Sequence, residues 1–329
     1  MGENFGPVTI VGPAEQRWGG VMIGFIGLGT MGRHMARHLM EAGFELMVHD
    51  ALREAANAHV DAGAVWAGSP AEVGAACEVV FTSLPGPPEV ESVATGDNGL
   101  LGAMSKGSAW FDLTTNSPTL IRRLYDEFSP SGVSVLDAPV SGGPKGAESG
   151  RLALWIGGDE DVYEKHRALL LAIGDQPAYV GPIGAGAVAK LVHNAAGYTI
   201  QAGLAEVFSM GIKAGVPPET LWAAVRQGAL GRSRTFERLP DHYLSDDYDE
   251  PAFALRLAHK DMSLAVALGQ ENDVPMALAS LALGELDEAL ARGWGERDSR
   301  AAMLLQNERA GIDVAVPKEV LDEIKKPSG

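Results

Sequence analysis

The sequence predicts an α/β chain in two parts, a doubly wound, mainly parallel sheet followed by an all-helical domain. Short apolar runs alternate with amphipathic stretches from Met22 onward, a glycine-rich turn joins the first strand to the first helix, and strand signal nearly vanishes beyond Gly181-Pro182. Strands interleaved with helices mean βαβ crossovers, and crossovers of that kind build parallel sheets.

Met22–Ile26 is a strand by its continuous apolar run, and Met31–Ala42 is a helix by its spacing, stopped at Gly43. Leu46–His49 is the second strand. Val79–Leu84, Ala109–Leu113, Val133–Leu136 and Leu152–Ile156 continue the series of short buried strands, with helices over Ser117–Phe128 and Asp161–Leu171 between some of them. Beyond Gly181 the helical stretches are Ala185–Ala214, Pro218–Arg226, Leu255–Gly269 and Ala277–Arg292. The expected organisation is a flexible leader over residues 1–20, a sheet domain over 21–182, and a helical domain over 183–329 that opens with a long interdomain helix.

Composition narrows the function. At 329 residues, 46% hydrophobic and 21% charged, the chain is long enough for two globular cores. A net charge of -17 argues against nucleic-acid or anionic-membrane surfaces. Cys77 is the only cysteine, which excludes an intrachain disulfide and a thiolate metal cluster. His34 and His38 are four apart on the first helix, where solvation or packing explains them better than a metal, so no metal is expected. The first twenty residues lack a basic segment followed by a long apolar run, and so do not read as a signal peptide. Leu191–Ile212 is apolar but interrupted by His193, Asn194, Gln201 and Glu206, which suits a buried soluble helix and not a membrane span. The cytoplasm is the expected location.

Gly27-Leu28-Gly29-Thr30-Met31-Gly32 carries the dinucleotide fingerprint of a Rossmann-type domain, placed between a strand and a helix as that chemistry requires. Gly27 permits the tight turn, Gly29 lets a pyrophosphate approach the backbone, and Gly32 lets helix and strand pack closely. The helix N-terminus adds free N–H groups and a positive dipole end. Asp50 closes the second strand, where a carboxylate accepts the ribose hydroxyls and repels a 2′-phosphate, favouring NAD with NADP as the alternative. Its other reading is a cap for the next helix. Arg53 nearby partly offsets the repulsion.

In order along the chain stand Gly24-Phe25-Ile26-Gly27-Leu28-Gly29-Thr30-Met31-Gly32, Leu84-Pro85, Asp112-Leu113-Thr114-Thr115-Asn116, Asp137-Ala138-Pro139-Val140-Ser141-Gly142-Gly143, Lys190-Leu191-Val192-His193-Asn194 and Lys260-Asp261-Met262. With these motifs the chain resembles the β-hydroxyacid dehydrogenase family from about Met22 to about Asn307. The resemblance implies that Lys190 is the general acid and base and that Asn194, on the same helical face, holds the substrate hydroxyl or the lysine. It implies that Ser141, Gly142 and Gly143 receive the substrate carboxylate, that Leu84, Pro85 and Thr115 line the cofactor, and that Lys260 stands near cofactor and substrate with Asp261 orienting it. Read from the residues alone, a lysine on a helix is usually a solvated charge. The apolar neighbours Val188, Ala189, Leu191 and Val192 weaken that reading.

His193 stands either against substrate or in a helix interface. Phe236 and Trp294 wall the cleft or belong to the helical core. Lys-x-Val-His-Asn also resembles the 6-phosphogluconate dehydrogenases, but the glutamate those enzymes carry one turn later is Gly197 here. Ser149-Gly150-Arg151-Leu152-Ala153-Leu154 looks like the hydroxyacid branch, so oxidative decarboxylation is disfavoured. The expected reaction interconverts a short 3-hydroxy acid and its semialdehyde. An imine reductase and a dinucleotide-binding homologue without activity are the alternatives, and the resemblance implies a homodimer or homotetramer joined through the helical half.

Overall fold

The computed structural model describes residues 21–213, 215–228, 238–271 and 275–325. The leader expected over 1–20 and Phe236 lie outside these residues. The described residues pack as two compact units, one of 21–114 with Thr119–Gly186, the other of Thr115–Pro118 with the described residues from Ala187 onward.

Among its described residues the first unit is built on nine strands: β1 (Met22–Ile26), β2 (Glu45–His49), β3 (Val65–Trp66), β4 (Val79–Thr82), β5 (Ala109–Asp112), β6 (Ser134–Asp137), β7 (Val140–Ser141), β8 (Ala153–Gly157) and β9 (Gln176–Gly181). They run in the order β3-β2-β1-β4-β5-β6-β8-β7, with β9 paired to β8. Pairing is parallel from β3 through β6 and between β8 and β9, and antiparallel where β8 meets β6 and β7. Helices α1 (Gly32–Glu41), α2 (Asn57–Asp61), α3 (Pro70–Ala76), α4 (Pro87–Thr95), α5 (Pro118–Phe128), α6 (Gly143–Glu148) and α7 (Glu160–Ile173) connect them.

Alternate side chains of the central strands feed two cores, one on each face of the sheet. Phe25, Phe81 and Phe111 are in register across β1, β4 and β5 and stack at 6.2 and 5.3 Å. Ile26, Val80 and Trp110 enter the opposite core. The register also aligns Ile26, Thr82, Asp112 and Asp137 at one carboxyl edge. Strand order reverses between β1 and β4, and ligands of open α/β sheets bind at the carboxyl ends of such a switch point.

The second unit holds the rest of α8 (Ala185–Lys213), then α9 (Pro218–Arg226), α10 (Leu255–Glu271), α11 (Ala277–Ala291), α12 (Met303–Ala310) and α13 (Lys318–Lys325). One of its cores gathers Phe208, Trp222, Tyr243 and Leu321, the other Leu255, Met262, Leu286 and Leu305. Small residues bring α10 and α11 together: Ala258, Ala279, Ala282 and Ala289 are buried in the second core. The described residues contain no helix long and apolar enough to cross a membrane.

Candidate active site

The first unit holds the glycine turn. Gly27 has φ +94, and a Cβ there would lie 2.2 Å from the Ser83 carbonyl oxygen; a Cβ on Gly32 would lie 1.9 Å from the Gly27 carbonyl oxygen. Both are therefore required by the protein's own backbone. Gly29 is different. It is exposed, and a Cβ there meets nothing within 4 Å, so the fold itself does not require a glycine at this position. No side chain caps α1, and its first turn holds no acid, which leaves N–H groups for an anion. Thr30 and Met31 complete the turn into the helix.

Asp50 is anchored on both oxygens. Oδ2 accepts the Leu28 N–H at 2.7 Å and Oδ1 accepts the Leu52 N–H at 2.8 Å. The carboxylate thus joins the end of β2 to the glycine turn and closes a local turn at Leu52, but it does not cap the next helical turn, Arg53–Ala56, whose N-cap is Leu52 with no side-chain cap. Each oxygen keeps a lone pair for a ribose hydroxyl. Arg53 stacks on Trp66 at 4.5 Å and donates to Asn57 Oδ1 at 3.1 Å.

A buried polar chain sets the edge beside the turn. Trp110 donates to the Thr82 hydroxyl at 2.9 Å, which donates to Asp112 Oδ1 at 2.9 Å; that oxygen also accepts the Thr114 N–H at 3.1 Å. The Thr114 hydroxyl accepts the Leu84 N–H at 3.0 Å. Leu84 is partly buried with its Cδ2 3.0 Å from a Cβ on Gly27, whereas Pro85 is exposed. Ser141 is the last residue of β7. Gly142, at φ +140, leads into Gly143 and α6. Four strands separate β7 from β1 in the sheet order.

The second unit gathers the other residues singled out in the sequence. Lys190 and Asn194 stand on successive turns of α8. Asn194 is buried and donates from Nδ2 to Asp261 Oδ2 on α10, while its Oδ1 meets His193 Nδ1 at 3.0 Å. One amide N–H of Asn194 remains to be satisfied. His193 is exposed. Asp261 is 1% exposed, and its Oδ1 forms a 2.9 Å ion pair with Lys260 Nζ, which also reaches the Thr115 carbonyl oxygen at 3.4 Å. One buried carboxylate therefore holds Asn194 by a hydrogen bond and Lys260 by charge alone, its Oδ1 having no hydrogen-bond partner among the described residues. Burial, and then the Lys260 charge, lower the Lys190 ammonium from its usual range to about 8, although Asp261 opposes the shift. Lys190 makes no hydrogen bond among the described residues and remains available to a ligand.

Sequence reasoning passed over Tyr198, one turn beyond Asn194. Burial raises its phenol well above the usual range, and the charge of Asp261 adds to the effect. The signal was the four-residue spacing Lys190, Asn194, Tyr198. Gly197 is exposed with open space at its Cβ, so a glutamate would fit there but is not encoded. Trp294 packs on the helical core and lies 5.7 Å from the Arg297 guanidinium. Among the described residues no group of three or more histidines, cysteines or acids is placed to hold a metal.

Comparison with known proteins covers both units. A family model described as the NAD-binding domain of 6-phosphogluconate dehydrogenase matches residues 22–181. One described as the NAD-binding domain of NADP-dependent 3-hydroxyisobutyrate dehydrogenase matches 184–306. The 2-(hydroxymethyl)glutarate dehydrogenase of Eubacterium barkeri is 34% identical over 90% of this chain and 98% of its own. An NAD-dependent L-serine dehydrogenase of Pseudomonas aeruginosa is 34% identical over 84% and 94%. Among solved structures, a Mycobacterium tuberculosis 3-hydroxyisobutyrate dehydrogenase with L-serine aligns at TM-score 0.79 and 28% identity, over 87% of this chain and 98% of that one.

Proposed function

Because the chain belongs to the β-hydroxyacid dehydrogenase family and is an NAD(P)-dependent dehydrogenase of that family, we propose that it oxidises a short 3-hydroxy acid to its semialdehyde, reversibly and with NAD, using Lys190 as the proton carrier. The observation that carries this reading is a lysine held at about 8, beside an asparagine locked by a buried carboxylate. The three substrates named by the relatives share one chemistry, a primary alcohol on the carbon next to the one bearing the carboxylate. That unit, HOCH2–CHR–COO⁻, is the proposed substrate class.

When bound, the nicotinamide supplies the hydride acceptor for oxidation and the donor for reduction. Neutral Lys190 takes the hydroxyl proton onto Nζ during oxidation and returns it during reduction. The remaining Asn194 N–H holds the same oxygen. Asp261 keeps the amide turned that way and anchors Lys260. By resemblance, Ser141, Gly142 and Gly143 take the substrate carboxylate, and Thr115 and Lys260 border the cofactor; His193, within a turn of Lys190, either touches the substrate or fills a helix interface.

The pH dependence follows from the direction of the shift. A lysine whose pKa is lowered to about 8 is increasingly neutral above that pH, so kcat/KM for oxidation rises through about 8 to a plateau. In reduction the protonated form is needed, and kcat/KM falls above the same value. Opposite limbs sharing one apparent pKa are expected in the two directions; parallel profiles would remove Lys190 from the proton transfer.

For the cofactor, Asp50 supports NAD over its phosphorylated form by at least ~10-fold in kcat/KM, since a 2′-phosphate would face an anchored carboxylate. Asp50→Ser should narrow that ratio. A wild-type preference for NADP would reverse the assignment.

Val192 and Ile200 on α8 and Leu278 and Leu281 on α11 are exposed apolar side chains of the helical unit. They support a homodimer or homotetramer through that half. Light scattering should give two or four times 34.5 kDa, and a monomeric mass would contradict the reading.

A further inference from the structure

Lys190, Asn194 and Tyr198 stand at four-residue intervals on α8 and share one face of that helix. Helical side chains lean toward the start of their helix, so Tyr198 leans toward Asn194. Its ring is partly buried in the helical unit and stacks on Phe253 at 6.4 Å. Phe253 is itself held in place. The fully buried Asp298 accepts the Ala252 and Phe253 N–H groups on Oδ2 at 3.0 and 3.3 Å. Its Oδ1 accepts the Arg300 N–H and pairs with the Arg300 guanidinium, each at 3.0 Å.

The aromatic wall is therefore fixed, but the Tyr198 hydroxyl makes no hydrogen bond among the described residues. A tyrosine packed into a core normally finds a partner for its hydroxyl. Nor is this one sealed in. The side-chain polar atoms both buried and unpartnered among the described residues are His59 Nδ1 and Asp261 Oδ1, so the Tyr198 oxygen is open to a ligand.

The charge around that oxygen has a sign. Burial, then the carboxylates of Asp261 and Asp298, hold the phenol well above its usual range, and the opposing Arg300 charge is the smallest of these effects. Tyr198 thus keeps its proton, and its oxygen can both donate and accept. Surroundings that disfavour a negative charge on the phenol disfavour one on a group bound to it.

Resting on the reaction proposed above, we infer that Tyr198 selects the substituent R of HOCH2–CHR–COO⁻, pairing with a small polar group that carries no negative charge, a hydroxyl or an ammonium. With the alcohol oxygen at Lys190 and Asn194, R lies one helical turn further along α8. A methyl there leaves the phenol unpaired, and a carboxylate meets the field of two aspartates.

The test compares kcat/KM with NAD for four racemic acids in wild type and Tyr198→Phe, which keeps the ring against Phe253. They are glycerate (R = OH), serine (R = NH3⁺), 3-hydroxyisobutyrate (R = CH3) and 2-(hydroxymethyl)glutarate, whose R ends in a carboxylate. Wild type should prefer glycerate or serine over both of the others by about tenfold, the loss expected for one unmade hydrogen bond. In Tyr198→Phe that ratio should fall toward one, chiefly through KM. The same ratio in both proteins, or a wild-type preference for the methyl or the anionic substituent, would overturn the role given to Tyr198. Oxidation of none of the four would instead remove the reaction itself, and the inference with it.

Discussion

Lys190→Ala should lower kcat/KM by at least ~10²-fold in both directions, the smallest factor usual for a positioned general acid or base. The loss should lie mainly in kcat, because the lysine acts on a proton that moves in the transition state. NAD affinity should be preserved, since the glycine turn and Asp50 belong to the other compact unit. Stability should not suffer either. An ammonium held down to about 8 is less favourable in the folded chain than in the unfolded one at every pH below that value, and the penalty fades as pH rises from about 8 toward 10.5. Removing it costs no buried ion pair. A variant that kept wild-type kcat/KM would eliminate the proposed chemistry.

Gly32→Ala and Gly29→Ala should separate two reasons for a glycine in one motif. At Gly32 the new carbon would lie 1.9 Å from the Gly27 carbonyl oxygen, so the backbone must move. Overpacking of this kind costs about 1–3 kcal/mol, and for a chain of this size Tm should fall by roughly 2–4 °C per kcal/mol. NAD affinity should drop by more than ~10-fold as the turn and the helix N-terminus shift. At Gly29 nothing within 4 Å opposes the carbon, so Tm should hold while NAD affinity alone falls. Calorimetry with and without NAD distinguishes the cases. Loss of Tm in both variants with no change in NAD affinity would make the turn purely structural.

Much of the nucleotide half was legible because its signals are local. The β1 run, the glycine spacing and the Asp50 position lie within thirty residues of one another, and the structure builds β1, α1 and β2 over that stretch. The elements that escaped had signals too short or masked by helix-disfavouring residues. β3 is Val65–Trp66 alone, and α4 opens on Pro87-Pro88, where proline is tolerated only because it occupies the first turn. α6 contains Gly143 and Gly146 in six residues, and β9 carries Pro177 while pairing with β8. The antiparallel β7 is two residues long, too short to show alternation.

The site divides the same way. Helical spacing put Lys190 and Asn194 on one face, and the structure keeps them on successive turns of α8. The arrangement around them was not legible, because Asn194 and Asp261 are 67 residues apart and no spacing encodes their contact. The same holds for Lys260 with the Thr115 carbonyl oxygen, 145 residues away. Tyr198 shared the spacing but not the motif, and so was passed over.

The reaction itself is tested most directly by following nicotinamide absorbance with purified chain, NAD or NADP, and a panel of acids of the form HOCH2–CHR–COO⁻, with cyclic imines and reduced cofactor as the competing set. NAD-dependent oxidation of at least one such acid is expected, lost by ~10²-fold or more in Lys190→Ala, with no turnover of the imines. Imine reduction without oxidation of any hydroxy acid would contradict the account.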